Sequence, residues 1–326
     1  MPERPCGSSR CRPDGPVGRP RRSATMADVV VVGAAAIDLK ATAGAPLVPA
    51  TSNPGFVTAS PGGVGRNIAE TLARLGSSVR LVSRVAEDSF GRLVLAETAA
   101  AGVDVSGVHT EAERTATYLA TLDSDGSLAV AVSDFAAIDT MTLEHVHDLD
   151  LRGVAHLVLD ANLPGPVLAA ALRLGGEAGA MVTIEPVSVA KAGRLANLAG
   201  AYPAHLLTPN EDEYAALAAR VDPLTVASTI CLRRGLAGSR LLRGPGTDPV
   251  DVPAVRVPPE AVRDVTGAGD SATAGLIHAL VRGASIEQAT AFGHAVAART
   301  VRSELTVPTD LDDLPDPTTL TVGDTR

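Results

Sequence analysis

The sequence predicts an α/β protein with a mostly parallel central sheet covered by helices on both faces. Three observations carry this expectation. Short β-branched runs alternate with helical segments along most of the chain, and that alternation builds parallel sheets. Of the 326 residues, 45% are hydrophobic but only 2% are aromatic and none is Trp. A core of Ala, Val, Leu and Ile is the usual material of strands buried on both faces. Finally, Gly76, Gly102 and Gly283 stand where three predicted helices stop, as C-terminal caps require.

Composition narrows the function classes. No apolar run reaches membrane-spanning length, and a net charge of −9 argues against nucleic acid as a partner. Cys6 and Cys11 lie near the N-terminus, leaving Cys231 alone in the body of the chain. No disulfide framework is available there, which fits a reducing, cytoplasmic setting. Residues 1–25 differ from the rest: six arginines stand against Glu3 and Asp14, a net +4 that leaves −13 for the remainder. They lack the apolar core of a secretory signal. They are expected to be a disordered basic leader or to precede the true start at Met26. One domain is expected over 26–308, followed by a loose tail over 309–326.

In chain order, residues 29–32 are four valines before Gly33 and read as a central strand. Asp38 lies five residues beyond Gly33, where a turn aspartate is one reading. Gly33-Ala34-Ala35-Ala36 lacks the G-x-G-x-x-G spacing, and no G-x-x-x-x-G-K-[ST] occurs, so a P-loop enzyme is excluded. Residues 40–60 are Pro- and Thr-rich without helical period and contain Ser52-Asn53-Pro54-Gly55. Gly62 and Gly63 open a helix over 64–75, with Val64, Ile68, Leu72 and Leu75 on its core face. A strand over 81–85 and a helix over 88–101 follow. Two extended runs, 115–122 and 127–132, flank Asp123-Ser124-Asp125-Gly126, a hairpin turn. Residues 156–160, 181–185 and 205–208 read as buried strands. Asp160, Glu185 and Asn210 fall at or just past their carboxyl ends, where ligands of such sheets sit. A strand over 230–234 precedes Gly235-Leu236-Ala237-Gly238, and Ser285 with Gln288 forms a capping box for a helix over 286–301.

The most informative stretch is Asp264-Val265-Thr266-Gly267-Ala268-Gly269-Asp270, which opens a segment with Leu276, Ile277, Leu280 and Val281 at helical spacing. N–H groups at a helix start have no partner inside the helix, and glycines let an anion approach them closely. An aspartate in that first turn is poorly placed to bind an anion but well placed to take a proton beside one. The combination suggests phosphoryl transfer. A plain acidic cap after a glycine turn has the same pattern, so a second motif matters. Residues 61–67 read Pro-Gly-Gly-Val-Gly-Arg-Asn. Together, G-G-x-x-x-N near the start and D-x-T-G-A-G-D near the end resemble the ribokinase-like (pfkB) family of carbohydrate and nucleoside kinases, over most of residues 27–305.

The resemblance implies a three-layer fold with a small β lid, drawn from about 40–60 and 114–133, that excludes water from the reaction. It implies ATP and Mg²⁺ as cofactors and a small hydroxyl-bearing molecule as substrate. Asp270 would be the base, and the N–H groups of Gly267, Ala268 and Gly269 would hold the developing charge. Asp38, Gly62, Gly63 and Asn67 would contact the sugar, with Asn53 a further substrate contact. Asn210-Glu211-Asp212-Glu213 matches the family's N-x-x-E, linking Glu213 to Mg²⁺ through water. Gly235 and Gly238, with Asn210, Thr266, Gly267 and Gly269, would surround the nucleotide. The last long helix, carrying Ala291, Phe292, Ala295 and Val296, would wall an apolar adenine slot. Asp264 resembles a ligand of the family's monovalent cation, such as K⁺. Lid-to-lid dimers in the family imply a homodimer.

A finer signal lies in Ser52-Asn53-Pro54-Gly55, in the full run of residues 60–69, in Tyr118-Leu119, in Asp160-Ala161-Asn162 and in Glu185-Pro186-Val187-Ser188. Together these look like the pseudouridine kinase branch, whose members use ATP to phosphorylate the 5′-hydroxyl of that C-nucleoside. A kinase of another nucleoside or sugar, and a nucleoside-binding homologue without turnover, are the alternatives. Three departures stand out. Glu185 replaces the branch's usual Asp. Residues 221–225 stand where a full helix is expected, which would expose one sheet face near the nucleotide. Lys40 and Lys191 are the only lysines, so cationic phosphate contacts must come from Arg.

Overall fold

The computed structural model describes residues 27–200 and 202–320. The expected leader over 1–25 and the last six residues of the tail lie outside them. From the N-terminus, β1 (Val29–Val32) leads to β2 (Ala36–Ala43), β3 (Gly55–Gly62), α1 (Val64–Arg74), β4 (Val79–Ala86), α2 (Ser89–Ala100) and β5 (Asp104–Ala112). The hairpin of β6 (Ala116–Leu122) and β7 (Leu128–Asp134) precedes two one-turn helices, α3 (Ala136–Asp139) and α4 (Glu144–His147). Alternation resumes with β8 (His156–Asp160), α5 (Gly165–Ala178), β9 (Met181–Glu185), α6 (Val189–Ala192), β10 (Ala204–Leu207), α7 (Glu211–Ala218) and β11 (Ala227–Arg233). The last elements are β12 (Ser239–Arg243), β13 (Val250–Val252), α8 (Ala268–Val281) and α9 (Ile286–Thr300).

The main sheet has nine strands in the order β13-β12-β11-β10-β9-β8-β1-β4-β5. Pairing is parallel from β5 to β11 and antiparallel for β12 and β13 at one edge. The four valines of β1 show why the middle is buried on both sides. Side chains alternate along a strand, so Val30 and Val32 join one apolar cluster with Leu168 and Leu172 of α5. Val29 and Val31 join the other, with Ile68 of α1, Ile277 of α8 and Val296 of α9. No helix among the described residues is long and apolar enough to cross a membrane.

A second sheet, β3-β2-β6-β7, stands apart from the first. Its register aligns Asp38 with Ser60 on one side and with Tyr118 on the other. Directly paired residues share a face, so these three side chains form one row. The opposite face carries Val57, Val130 and Val132, all more than half exposed.

Three expectations are corrected by the structure. The short 221–225 segment does not bare the sheet: α7 and a single 3₁₀ turn over Pro223–Thr225 make the crossover, and Leu217, Val226 and Ile230 are buried in one cluster. Within β11 only Ser228 is exposed, with Thr229, Leu232 and Arg233 half-buried. The described part of the tail is not loose. Leu311 is buried, Leu314 and Leu320 pack on the same cluster as α9, and Gln288 Nε2 donates to the carbonyls of Thr318 and Leu320. The strands β5, β12 and β13 were not anticipated, because they are polar or very short edge strands with little apolar pattern.

Candidate active site

The start of α8 is an amide-lined turn. Gly267 is its N-cap with φ 78°, a left-handed conformation that favours glycine, and a Cβ there would meet Thr306 O at 2.5 Å. The N–H groups of Gly267, Gly269 and Asp270 donate to no acceptor among the described residues. Ala268 corrects the expectation of a free donor, because its N–H closes the turn onto Val265 O at 3.2 Å. Asp270, in the first helical turn, is half-buried. Burial pushes its carboxyl up to about 7, against the hydrogen bond from Asn67, with Glu185 and Asp160 raising it further and Arg233 lowering it.

The start of α1 meets it from the other side. Gly63, at φ 91°, caps α1, and a Cβ there would lie 2.5 Å from Ala34 O. Asp160, fully buried at the end of β8, accepts from the N–H groups of Ala34 at 2.7 Å and Gly65 at 2.9 Å. One carboxylate thus ties the end of β1 to the first turn of α1. Asn67 projects from that turn and donates Nδ2 to Asp270 Oδ2 at 2.8 Å. Its Oδ1 accepts from Arg66, whose Nε donates to Gly62 O at 3.1 Å and whose Nη1 pairs with Glu70. Asp38 faces the same guanidinium. Burial raises its carboxyl and Arg66 lowers it. A Cβ on Gly62 would fall 2.3 Å from that carboxylate, so Gly62 is required by close approach.

Arg233, which the sequence reading did not single out, sits at the end of β11. Its Nη2 donates to Glu185 Oε1 at 2.8 Å and lies 3.6 Å from Glu213 Oε2. The signal available in the sequence was indirect: with two lysines in the chain, a buried cation had to be an arginine. Glu213 completes a capping box with Asn210, whose N–H its Oε2 accepts at 2.9 Å, while Asn210 Oδ1 accepts from Glu213 N at 2.9 Å. Burial raises the Glu213 carboxyl. Glu213 Oε2 is thus shared between the cap and the Arg233 guanidinium, which leaves Oε1 for the expected water-mediated Mg²⁺ contact.

Beside this centre lies a cleft of roughly 460 Å³, lined largely by apolar groups. Asn210, Gly235, Gly238, Gly269 and Arg233 border it, so four of the six expected nucleotide residues meet there, without Thr266 and Gly267. The helical face expected to wall it is corrected. Phe292 and Val296 are buried in the core, and His294, Ala297, Ala298 and Val301 line the cleft instead. The small side chains of α9 gave no clear apolar stripe by which to choose the face.

Three expected residues are engaged elsewhere. Asn53 closes its own loop, accepting from Val48 N at 2.8 Å and donating to the carbonyls of Val48 and Thr51. Thr266 gives both its N–H and its hydroxyl to Asp264 Oδ1. Asp264 Oδ2 accepts from Lys40 Nζ at 3.2 Å. An ammonium on that carboxylate does not fit the monovalent-cation ligand expected there. It does link β2 of the small sheet to the α8 turn.

Known proteins share this fold. The profile of the pfkB family carbohydrate kinase matches residues 26–313. Pseudouridine kinase of Escherichia coli (strain K12) is 32% identical over 298 residues, covering 87% of this chain and 93% of that protein. A carbohydrate kinase from Agrobacterium tumefaciens superposes with a TM-score of 0.75 at 30% identity, covering 88% of this chain and 94% of the other. Arabidopsis thaliana ribokinase complexed with ribose and ATP gives a TM-score of 0.73 at 22% identity, covering 90% and 97%, a likeness of fold.

Proposed function

We propose, from the premise that the chain belongs to the pfkB family of carbohydrate kinases, that it transfers the γ-phosphoryl group of ATP to the 5′-hydroxyl of pseudouridine. The family and the relatives make it a phosphotransferase with an alcohol acceptor and a small-molecule substrate. The observation that carries the chemistry is the Asn67–Asp270 hydrogen bond, which joins the two motifs at one carboxylate. The choice of nucleoside is supported by the 32% identity to a pseudouridine kinase over nearly the full length of both chains.

In this reading the nucleoside lies between the start of α1 and the small-sheet row of Asp38, Ser60 and Tyr118. Asp38 accepts from a ribose hydroxyl, and Asn67 orients Asp270. Asp270 takes the 5′-hydroxyl proton as that oxygen attacks the γ-phosphorus. The bond from phosphorus to the bridging oxygen breaks, and ADP leaves. The free N–H groups at the start of α8 hold the charge that develops on the transferring group. Donors of this kind are each worth about 10²–10³ in rate. The adenosine part of ATP fills the apolar cleft beside α9, a slot suited to a purine. The small sheet closes over the nucleoside and excludes water. Its exposed Val57, Val130 and Val132 support pairing of two copies through that face.

Measuring ADP release with pseudouridine, uridine, adenosine and ribose tests the substrate. The highest kcat/KM is expected with pseudouridine. A preference for any of the other three would replace the substrate while leaving the transfer chemistry in place.

A further inference from the structure

The guanidinium of Arg233 lies between two buried carboxylates and borders the apolar cleft. Each partner is already well supplied with donors. Glu185 Oε1 accepts from Arg233 Nη2 at 2.8 Å, while Oε2 accepts the hydroxyls of Thr208 at 2.7 Å and Thr273 at 2.8 Å. Glu213 Oε2 accepts the Asn210 N–H and faces the same Nη2 at 3.6 Å. Two carboxylates side by side out of water repel each other unless a proton, a metal ion or a cationic side chain stands between them. Here the side chain does. A guanidinium stays charged at any working pH, and its planar fork suits both carboxylate and phosphate oxygens.

Arg233 is also in contact with the amide turn. A Cβ on Gly269 would lie 2.8 Å from Nη1, so the turn rests closely on the guanidinium. Nη1 is otherwise bonded only at long range, to Thr273 Oγ1 at 3.4 Å. Among the described residues Nε has no acceptor. Donors therefore remain free on the one cation among the described residues that borders both the cleft and the start of α8.

We propose that Arg233 is the resident cation of the phosphate site. It stands between Glu185 and Glu213, beside the carboxylate that the family resemblance links to hydrated Mg²⁺, and it binds the polyphosphate of the nucleotide directly. Any divalent ion that arrives with ATP is then held by the phosphates rather than by Glu213. This rests on the reading of the cleft as the ATP site.

The test uses the full chain and ADP as the probe, with affinity measured by calorimetry in excess EDTA and again in excess Mg²⁺. The wild type is expected to bind metal-free ADP within about three-fold of its affinity in Mg²⁺. Arg233→Ala is expected to lose at least ten-fold in EDTA and to recover most of that in Mg²⁺. Without nucleotide, Mn²⁺ is expected to bind Arg233→Ala, through the vacated carboxylate pair, and not the wild type. Arg233→Lys, which keeps the charge, guards against misfolding and is expected to retain metal-free binding better than Arg233→Ala. Wild-type ADP binding that requires Mg²⁺ would overturn the inference and leave the ATP cleft standing. So would unchanged metal-free affinity in a folded Arg233→Ala, the result of a purely structural arginine. A wild type that binds no ADP under either condition would instead remove the cleft reading, and this inference with it.

Discussion

Asn67 and Asp270 are 203 residues apart in the chain and are joined by a 2.8 Å hydrogen bond between the first turns of α1 and α8. Each is held from behind. Asn67 is gripped by Arg66, and Asp270 sits on a turn that only glycine can make. A carboxylate fixed in this way, half-buried and short of water, loses more by being charged than an exposed one does.

Turnover should depend on pH through this group. A base works only when deprotonated, and the Asp270 carboxyl is raised to about 7. A plot of kcat/KM against pH is therefore expected to rise through neutrality and level off above pH 8. An acid limb near pH 4 would place the base elsewhere.

Asn67→Ala removes the donor that lowers the Asp270 carboxyl. A hydrogen bond to a charged group contributes about 1.5–3 kcal/mol, so the acid limb is expected to move up by roughly one pH unit or more. A purely steric role for Asn67 would lower the rate without moving the limb.

Stability should show the same group with the opposite sense. The folded state binds the Asp270 proton more tightly than the unfolded chain, where the carboxyl has its ordinary value of 3.8. That contribution is present below about pH 4 and lost as pH rises towards 7. Asp270→Asn is thus expected to melt higher than the wild type at pH 8, with the gap closing at pH 4. Equal melting temperatures at pH 8 would contradict the buried-charge assignment.

Gly62→Ala would drive a Cβ into the Asp38 carboxylate. Misplacing that carboxylate is expected to reduce kcat/KM for the nucleoside on the order of 10²-fold, while ADP affinity stays unchanged. A parallel loss of ADP affinity would mean that the turn, not Asp38, had been disturbed.

The architecture was largely readable in the residues, because burial on both faces leaves an unmistakable mark. The strands at 156–160 and 181–185 run as anticipated. Asp160 and Glu185 end them, and Asn210 lies just past β10. What escaped notice was set by tertiary contact. Asn53 could be read as a ligand or as a turn residue, and its amide spends every bond on its own loop. The Arg233 role depends on two carboxylates 20 and 48 residues earlier, which no local pattern reveals. The tail did carry a signal, since Leu311, Leu314, Pro317 and Leu320 recur every three residues, but its acidic composition hid it. Leu311→Ala is accordingly expected to cost about 2 kcal/mol or more of stability, read by denaturant unfolding, with activity per folded molecule unchanged.

The most direct test of the central claim is the single-turnover rate of Asp270→Asn with ATP and pseudouridine, measured at pH 8 beside its ADP affinity. A loss of about 10²–10⁴-fold is expected, the range of a general base, with ADP bound within a few-fold of the wild type. Transfer within ten-fold of the wild-type rate would show that another group removes the proton.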